Sequence, residues 1–146
     1  MSRALQQSYK GICNAIQSPI AVSQAPALAK KGKCIYKNFK GLWDTGATHT
    51  VISAKAVKLL GLVPVGKTRV LHAQGEDTVP TYYIYVKLPG QMEITGITAL
   101  KGQLSDVDVL IGMDVINRGD FLISNHKEKT TFLFRMPSVG VGSVFT

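Results

Sequence analysis

The sequence predicts a mainly β domain, a closed barrel or a sandwich, with one or two short helices. Short apolar runs recur along the chain, and Gly, Pro and small polar residues separate them. Strand and helix patterns do not alternate, which disfavours a dinucleotide-binding α/β fold. With 146 residues, of which 45% are hydrophobic and 18% charged, the chain can bury one core of this kind.

Two strands are predicted in the N-terminal third of the chain. Residues 1–11 combine a helical spacing of apolar residues with an interrupting glycine, and we expect a loosely attached arm there. Residues 16–24 form the first predicted strand, in which Pro19 indicates an edge or a bulge. Residues 25–32 are a predicted loop, and residues 33–43 alternate apolar and polar side chains as a second strand does.

A short helix is predicted directly after a short strand at Val51 and Ile52. Ser53 is a suitable N-cap, the segment AKAVKLL at 54–60 follows it, and Gly61 is a typical stop signal. Capping residues at both ends favour a helix of about two turns.

The second half of the chain is predicted to form strands joined by turns. Residues 68–73 and 81–88 are the strands of a predicted hairpin, because the linking segment QGEDTVP at 74–80 has the composition of a turn. Beyond it we expect strands at 94–101, 108–111, 121–124 and 130–135, one helical turn at 114–118, and a mobile glycine-rich tail at 138–146.

The charge of the chain raises the question of an anionic partner. Its 17 basic and 9 acidic residues give a net charge of +8. The dense part of this charge is a run of five lysines, Lys30, Lys31, Lys33, Lys37 and Lys40. Such a run is usually a solvated face, so nucleic acid is disfavoured as a partner, and anionic substrates or surfaces are a second interpretation.

Cysteine and histidine usage predicts neither a disulfide framework nor a metal site. Cys13 and Cys34 are too few for such a framework, there is no CxxC pair, and the three histidines are scattered. We also see no apolar run long enough to span a membrane and no secretory signal pattern. The expectation is a cytoplasmic protein with reduced thiols and no membrane partner.

The sharpest candidate site is Asp44-Thr45-Gly46-Ala47, at the end of an apolar strand. A carboxylate that follows two bulky apolar residues is expected in a dry environment, where hydrogen bonds must compensate its burial. Thr45 supplies a hydroxyl, and Gly46 permits a tight turn with an exposed N–H. An ordinary turn after a strand is the alternative interpretation.

Amide hydrolysis by carboxylates needs two of them, one acting as base toward a water and the other as acid toward the carbonyl. The sequence contains one Asp-Thr-Gly and no Asp-Ser-Gly. A dyad would therefore need a second chain, and a symmetric homodimer with the two Asp44 residues on its twofold axis supplies it.

Two segments together resemble the retropepsin-type (retroviral-like) aspartic proteases: DTGATHTVIS at 44–53 and VLIGMD at 109–114. The segments MDVINRGDFLISN and KTTFLFRMPS resemble the bacterial and phage gag-polyprotein aspartyl protease group more than any virion enzyme. The resemblance covers about residues 33–137, which we take as the protease domain. An N-terminal arm and edge strand (1–32) precede it, and the tail (138–146) follows it.

The resemblance implies a small all-β, closed barrel-like acid-protease fold that acts as a homodimer on extended polypeptide segments, with no metal or organic cofactor. Asp44 would be the catalytic acid/base, Thr45 would interlock with the partner's loop, and Gly46 would meet the substrate backbone. Residues 72–80 would be the flap over the cleft, and Ile111 and Gly112 would support the loop that carries Asp44 from behind. The implied substrate-binding residues are Ala47, Thr48, His49, Ala73, Gln74, Gly75 and Ile111.

Two departures from the retroviral pattern limit what the resemblance implies. Thr48 and His49 stand where retroviral enzymes usually carry two acidic residues, and Met113-Asp114 replaces the arginine that pairs with one of them. Subsite preference and dimer salt bridges are therefore not carried over. His49 has two interpretations, a residue that lines a pocket or shifts the titration of the dyad, and an ordinary loop histidine.

Two other functions remain alternatives at this point. A dimeric peptide-binding scaffold of the same fold with little hydrolysis is one, although it would not require an intact Asp-Thr-Gly. A basic β domain that binds nucleic acid is the other, and it rests on the net charge alone.

Overall fold

A computed structural model describes residues 1–140 and 142 of the chain. Within them the chain forms ten strands, two short α-helices, and 3-10 turns at Pro26–Leu28 and His126–Glu128. The strands are β1 (Arg3–Ser8), β2 (Gln17–Gln24), β3 (Lys37–Trp43), β4 (Val51–Ser53), β5 (Pro64–His72), β6 (Gly75–Leu88), β7 (Met92–Gly102), β8 (Val109–Ile111), β9 (Asp120–Ser124) and β10 (Thr131–Met136). The helices are α1 (Ala54–Leu60) and α2 (Met113–Ile116).

Six strands close into a barrel, which confirms the predicted fold class. Their order is β2-β3-β8-β4-β7-β6, and the pairing of β6 with β2 closes the ring. Strand β3 lies parallel to β8, and β4 parallel to β7, while the other neighbours are antiparallel. Strand β5 pairs only with β6 and so extends outside the ring.

A second, three-stranded sheet packs against the barrel. Its order is β1-β10-β9, with antiparallel pairing throughout. Phe132 and Phe134 on β10 are fully buried, and their ring centroids each lie 5.0 Å from that of Trp43 at the end of β3. This aromatic contact continues the barrel core, whose buried members include Ile20, Ile52, Ile84, Val86, Ile94, Val109 and Ile111. Trp43 is therefore a core residue.

Helix α1 begins and ends where the capping residues place it. Ser53 Oγ accepts a hydrogen bond from the Ala56 N–H at 3.1 Å, and Gly61 ends the helix with a φ of +62°. A left-handed residue at this position favours glycine because it has no Cβ to clash. Neither α-helix of the described chain is long and apolar enough to cross a bilayer.

The loosely attached arm expected at residues 1–11 is wrong. Residues 3–8 form β1, which pairs residue by residue with β10 from Arg3 opposite Met136 to Ser8 opposite Thr131. Leu5 is buried in the core, and Tyr9 donates from its hydroxyl to the Gln17 carbonyl at 2.9 Å. The pairing partner lies more than 120 positions away in sequence, so the local pattern could not indicate it.

Two further boundaries differ from the prediction. Strand β3 begins at Lys37 rather than Lys33, because the chain ahead of it turns to donate the Ile35 N–H to Ser23 Oγ at 2.9 Å. At the C-terminus, the predicted mobile tail is attached in its first residues: Ser138 Oγ and the Val139 N–H both donate to Asp120. Residues 141 and 143–146 of that tail lie outside the described part of the chain.

Candidate active site

Asp44 directly follows strand β3, whose last residue is fixed by its packing. Trp43, the residue before it, packs on the aromatic side chains of the second sheet and donates from its indole N–H to Ser18 Oγ at 2.8 Å. A buried tryptophan whose polar atom is satisfied has little freedom to move. The backbone that leads into Asp44 is fixed for this reason.

The turn after Asp44 is held by its own hydrogen bonds. The Asp44 N–H donates to the Ile111 carbonyl on neighbouring β8 at 2.9 Å. Its carboxylate Oδ1 accepts from the Gly46 N–H at 2.8 Å, and its carbonyl accepts from the Ala47 N–H at 3.2 Å. The carboxylate is thus oriented by a backbone donor two residues ahead, the role that the sequence suggested for the exposed N–H of Gly46.

The N-terminus of α2 closes on the back of this loop. The Met113 N–H donates to the Ala47 carbonyl at 2.8 Å. A Cβ on Gly112 would lie 2.7 Å from the His49 carbonyl carbon and 2.8 Å from the Ala47 carbonyl oxygen. Real Cβ atoms do not approach backbone so closely, so glycine is required here to let the two segments meet.

A second brace joins Thr50 to Asp114, a contact that the sequence reasoning missed. The Asp114 carboxylate accepts from the Thr50 N–H at 2.9 Å and from the Thr50 hydroxyl at 2.7 Å. The same hydroxyl accepts from the Gly112 N–H at 3.2 Å, and all of this lies around the fully buried Thr50. Asp114, an acidic residue in the first helical turn after the VLIG segment at 109–112, is a signal in the sequence that can indicate this contact. From the sequence alone, it stands out only as a departure from the retroviral pattern.

The Asp44 loop (residues 44–50) is open on its front. Asp44 is half-buried, and Thr45 and Gly46 are exposed. The dry environment expected for Asp44 is therefore absent from the single protomer. The barrel and α2 pack on the back of the loop, and in the described part of the chain its front is left open to solvent.

Strands β5 and β6 form a hairpin arm (residues 64–80) that extends away from the barrel. Its tip is a two-residue turn at Ala73 and Gln74, since His72 already pairs with Gly75. The link predicted as a turn at 74–80 is therefore mostly strand. Pro80 lies opposite Lys67 of β5, but β7 pairs with β6 only from Thr81 onward, so at Pro80 the strand has a partner on one side only, where proline is tolerated.

The contacts of the hairpin arm are exposed ones. His72 Nε2 lies 2.7 Å from an Asp77 carboxylate oxygen, and Arg69 Nε lies 3.5 Å from Glu76. Both pairs join side chains that face solvent, where an ion pair adds little stability. Leu71 between them is 81% exposed, a large apolar side chain that the protomer leaves uncovered.

The predicted site residues, apart from Ile111, lie on the Asp44 loop and on the hairpin arm. Asp44, Thr45, Gly46, Ala47, Thr48 and His49 share one loop, in which Ala47 is half-buried and both Thr48 and His49 are exposed. Ile111 lies behind the loop with its side chain fully buried, so what it offers the loop is its carbonyl. Ala73, Gln74 and Gly75 are exposed at the tip of the arm.

Asp120 joins β9 to β10 and to the segment after it. Arg135 Nε donates to it at 2.9 Å, alongside the donors from Ser138 and Val139. The Ser138 hydroxyl first, and then Arg135 and the Val139 N–H, lower the pKa of Asp120 to about 2. The neighbouring Phe121 packs against Trp43 at a tilted angle, with ring centroids 5.9 Å apart, so this network lies near the strand end that carries Asp44.

Comparison with known proteins agrees with this geometry. Residues 35–118, which contain the Asp44 loop, the hairpin arm and α2, match the family model described as "gag-polyprotein putative aspartyl protease". No curated protein matches the chain.

Among solved structures, a retropepsin-like aspartic protease from Rickettsia conorii aligns with a TM-score of 0.58 at 17% identity. The alignment covers 92% of this chain and 95% of that one. EIAV protease in complex with the inhibitor HBY-793 aligns with a TM-score of 0.52 at 15% identity, over 75% of this chain and 90% of that one. These structures establish the fold, and the family model spans more than half of the sequence. The chain therefore belongs to the gag-polyprotein aspartyl protease family and has the retropepsin-like fold.

Proposed function

We propose that the protein is an aspartic endopeptidase whose catalytic dyad consists of two Asp44 carboxylates, one from each protomer of a homodimer. The observation that carries the proposal is the Asp44 loop, which is braced from behind and open in front. A carboxylate held in this way is positioned for a partner that approaches from the open side.

The second carboxylate has no source within the described protomer. Asp114 is the acid nearest to the Asp44 loop in its contacts, and its oxygens already accept from the Thr50 N–H, the Thr50 hydroxyl and the Val115 N–H. These hydrogen bonds engage both carboxylate oxygens of Asp114 within the protein, which indicates a structural role. A second copy of the chain supplies the missing group under twofold symmetry.

The chemistry follows from two carboxylates that share one proton. The ionised Asp44 takes a proton from the bound water as that water attacks the peptide carbonyl carbon, and the protonated Asp44 donates to the carbonyl oxygen. Collapse of the tetrahedral intermediate returns a proton to the leaving nitrogen.

The remaining site residues receive roles from their positions. Thr45 would contact the partner's loop, and Gly46 the substrate backbone. Residues 47–49 and the arm tip at 73–75 would contact an extended substrate from its two sides, adding it as a β-strand. The arm would cover the bound peptide and exclude water from the dyad.

A cleavage profile on an unbiased peptide library, from about pH 3 to 8, tests the proposal. Wild type, Asp44→Asn and the control Asp106→Asn are compared, since Asp106 is an exposed acid on a loop remote from residue 44 in sequence. We expect cleavage by wild type and by Asp106→Asn, and a loss of at least about 10²-fold in Asp44→Asn.

If a wild-type protein that is shown to be dimeric cleaves no peptide, the proposal is overturned and the peptide-binding scaffold is favoured. Equal cleavage by Asp44→Asn would show that Asp44 is not the catalytic acid/base.

A further inference from the structure

The positive charge of the chain is concentrated in its first half. Asp44 is the single acidic residue among residues 1–75, although the five-lysine run and Lys55, Lys58 and Lys67 all lie there. Most of the net charge of +8 therefore comes from the first half of the sequence.

Hydrogen bonds join several of the lysine-rich segments at one end of the barrel. Lys37, at the start of β3, donates from Nζ to the Leu59 carbonyl at the end of α1 at 2.8 Å. Gln24, at the end of β2, donates to the Leu28 carbonyl at 3.1 Å and accepts from the Val63 N–H at 2.7 Å. The β2–β3 loop, the end of α1 and the start of β5 thus form one surface, which we call the basic-apolar end.

Exposed aliphatic side chains stand among the lysines of the basic-apolar end. Lys30, Lys31, Lys33, Lys37 and Lys58 are all exposed. Five of the large apolar residues most exposed in the described chain belong to the same segments: Leu28 at 36%, Ile35 at 54%, Leu59 at 49%, Val63 at 51% and Val65 at 49%. Clustered exposed aliphatics of this kind mark an interaction surface.

Negative charge near this surface is already paired. Glu93 accepts from the Tyr36 hydroxyl at 3.0 Å and lies opposite Lys87 in the β6–β7 register. Lys87 Nζ in turn lies 4.3 Å from the centre of the Tyr36 ring. Tyr36 is therefore engaged within the protein, and its ring is not free to stack on a nucleic-acid base.

We propose that the basic-apolar end binds the surface of an anionic lipid bilayer. Lysines attract anionic headgroups, and aliphatic side chains gain by entering the boundary between headgroups and acyl chains. Nucleic acid would also bind the lysines, through its phosphates. It would gain little from contact with Leu28, Ile35 and Leu59, because single strands are bound by aromatic stacking and by charge on the backbone. The aliphatics thus favour the bilayer.

This surface is separate from the Asp44 loop. Lys37 and Asp44 lie at opposite ends of β3, roughly 20 Å apart at the rise of an extended strand. Binding at the basic-apolar end leaves the Asp44 loop free and does not depend on the proposed proteolytic function.

Co-sedimentation of the full chain with vesicles tests the proposal. One set is phosphatidylcholine with about one third phosphatidylserine, and the other is phosphatidylcholine alone. We expect binding to the anionic set only, and a loss of about fivefold for each lysine neutralised in Lys30→Gln/Lys31→Gln/Lys33→Gln. The control Lys10→Gln/Lys127→Gln/Lys129→Gln removes the same charge near the β9–β10 turn and should bind like wild type.

A second pair of substitutions separates lipid from nucleic acid. Ile35→Asn and Leu59→Gln leave the charge unchanged, and each should weaken vesicle binding several-fold without changing the salt-dependent retention on single-stranded DNA. Equal loss in both lysine triples, or binding to DNA but not to anionic vesicles, would overturn the proposal. So would no binding to either vesicle set by a folded protein, as judged by its circular dichroism.

Discussion

The Asp44 loop and the hairpin arm are both exposed at their tips, but they are built in opposite ways. Behind the loop, backbone and side-chain hydrogen bonds converge from β8 and α2 on Asp44, Ala47 and Thr50. The contacts described for the arm are its own β ladder, exposed ion pairs and hydrogen bonds between His72 and Gln74. Fixed geometry suits a group that must act on a bound water, and sparse contacts suit a cover that must open for substrate.

The largest effect is expected where the loop meets α2. Gly112→Ala places a methyl group within 2.7 Å of the His49 backbone, so the loop must shift. We expect kcat/KM to fall by about 10²-fold and the free energy of unfolding by about 1–3 kcal/mol. Peptide cleavage and urea unfolding measure the two losses. Gly11→Ala is the control, since nothing lies within 4 Å of its added Cβ, and it should change neither quantity.

Loss of the hydrogen bonds between Thr50 and Asp114 should have a smaller effect than the Gly112→Ala substitution. Thr50→Val keeps the buried shape but removes the hydroxyl that bonds Asp114 and accepts from Gly112. We expect a loss of about 1–3 kcal/mol in the free energy of unfolding, measured by thermal or urea denaturation. Thr98→Val on the exposed face of β7 should stay within about 0.5 kcal/mol. Equal losses in the two variants would mean that the brace adds no stability.

A substitution at the exposed face of the hairpin arm should lower peptide cleavage without lowering the free energy of unfolding. Leu71→Ala removes an apolar side chain that is 81% exposed, so the free energy of unfolding should change by less than about 0.5 kcal/mol. If substrate or partner covers it in the complex, kcat/KM falls by about tenfold. Leu88→Ala, at a site 4% exposed on the same strand pair, should instead lose about 2–5 kcal/mol of stability. Unchanged kcat/KM in Leu71→Ala would contradict the role of the arm as a cover.

The smallest effect concerns the Asp120 network and depends on pH. The hydrogen bonds from Ser138, Arg135 and Val139 lower the folded-state pKa of Asp120 to about 2, below the ordinary value for an aspartate. Its contribution to stability is therefore full above about pH 4 and is lost as pH falls toward 2. Asp120→Asn should lower the melting temperature at neutral pH, and the difference from wild type should vanish near pH 2. A difference in melting temperature that stays constant from neutral pH to pH 2 would contradict this role of Asp120.

The local parts of this architecture were predictable from sequence. Ser53 and Gly61 mark both ends of α1, and alternation into Trp43 places Asp44 at a strand end. The two motifs identify the family. In each case a few neighbouring residues carry the physical cause.

The long-range parts were not predictable in this way. Strand β1 depends on a partner at the far end of the chain, and barrel closure depends on β2 pairing with β6 some 60 residues later. The Thr50–Asp114 brace likewise joins residues 64 positions apart. Periodicity and turn composition describe one segment at a time and contain no information about which segments meet.

Mixing wild-type and variant protomers shows whether the dyad is shared between two chains. Wild type is held at constant concentration while Asp44→Asn is added in increasing excess, and peptide cleavage is followed. Mixed dimers contain one catalytic carboxylate, so the rate should fall toward zero as Asp44→Asn captures the wild-type chains, while added Asp106→Asn should raise it. A rate that stays constant under excess Asp44→Asn would show that each protomer works alone and would contradict the shared dyad.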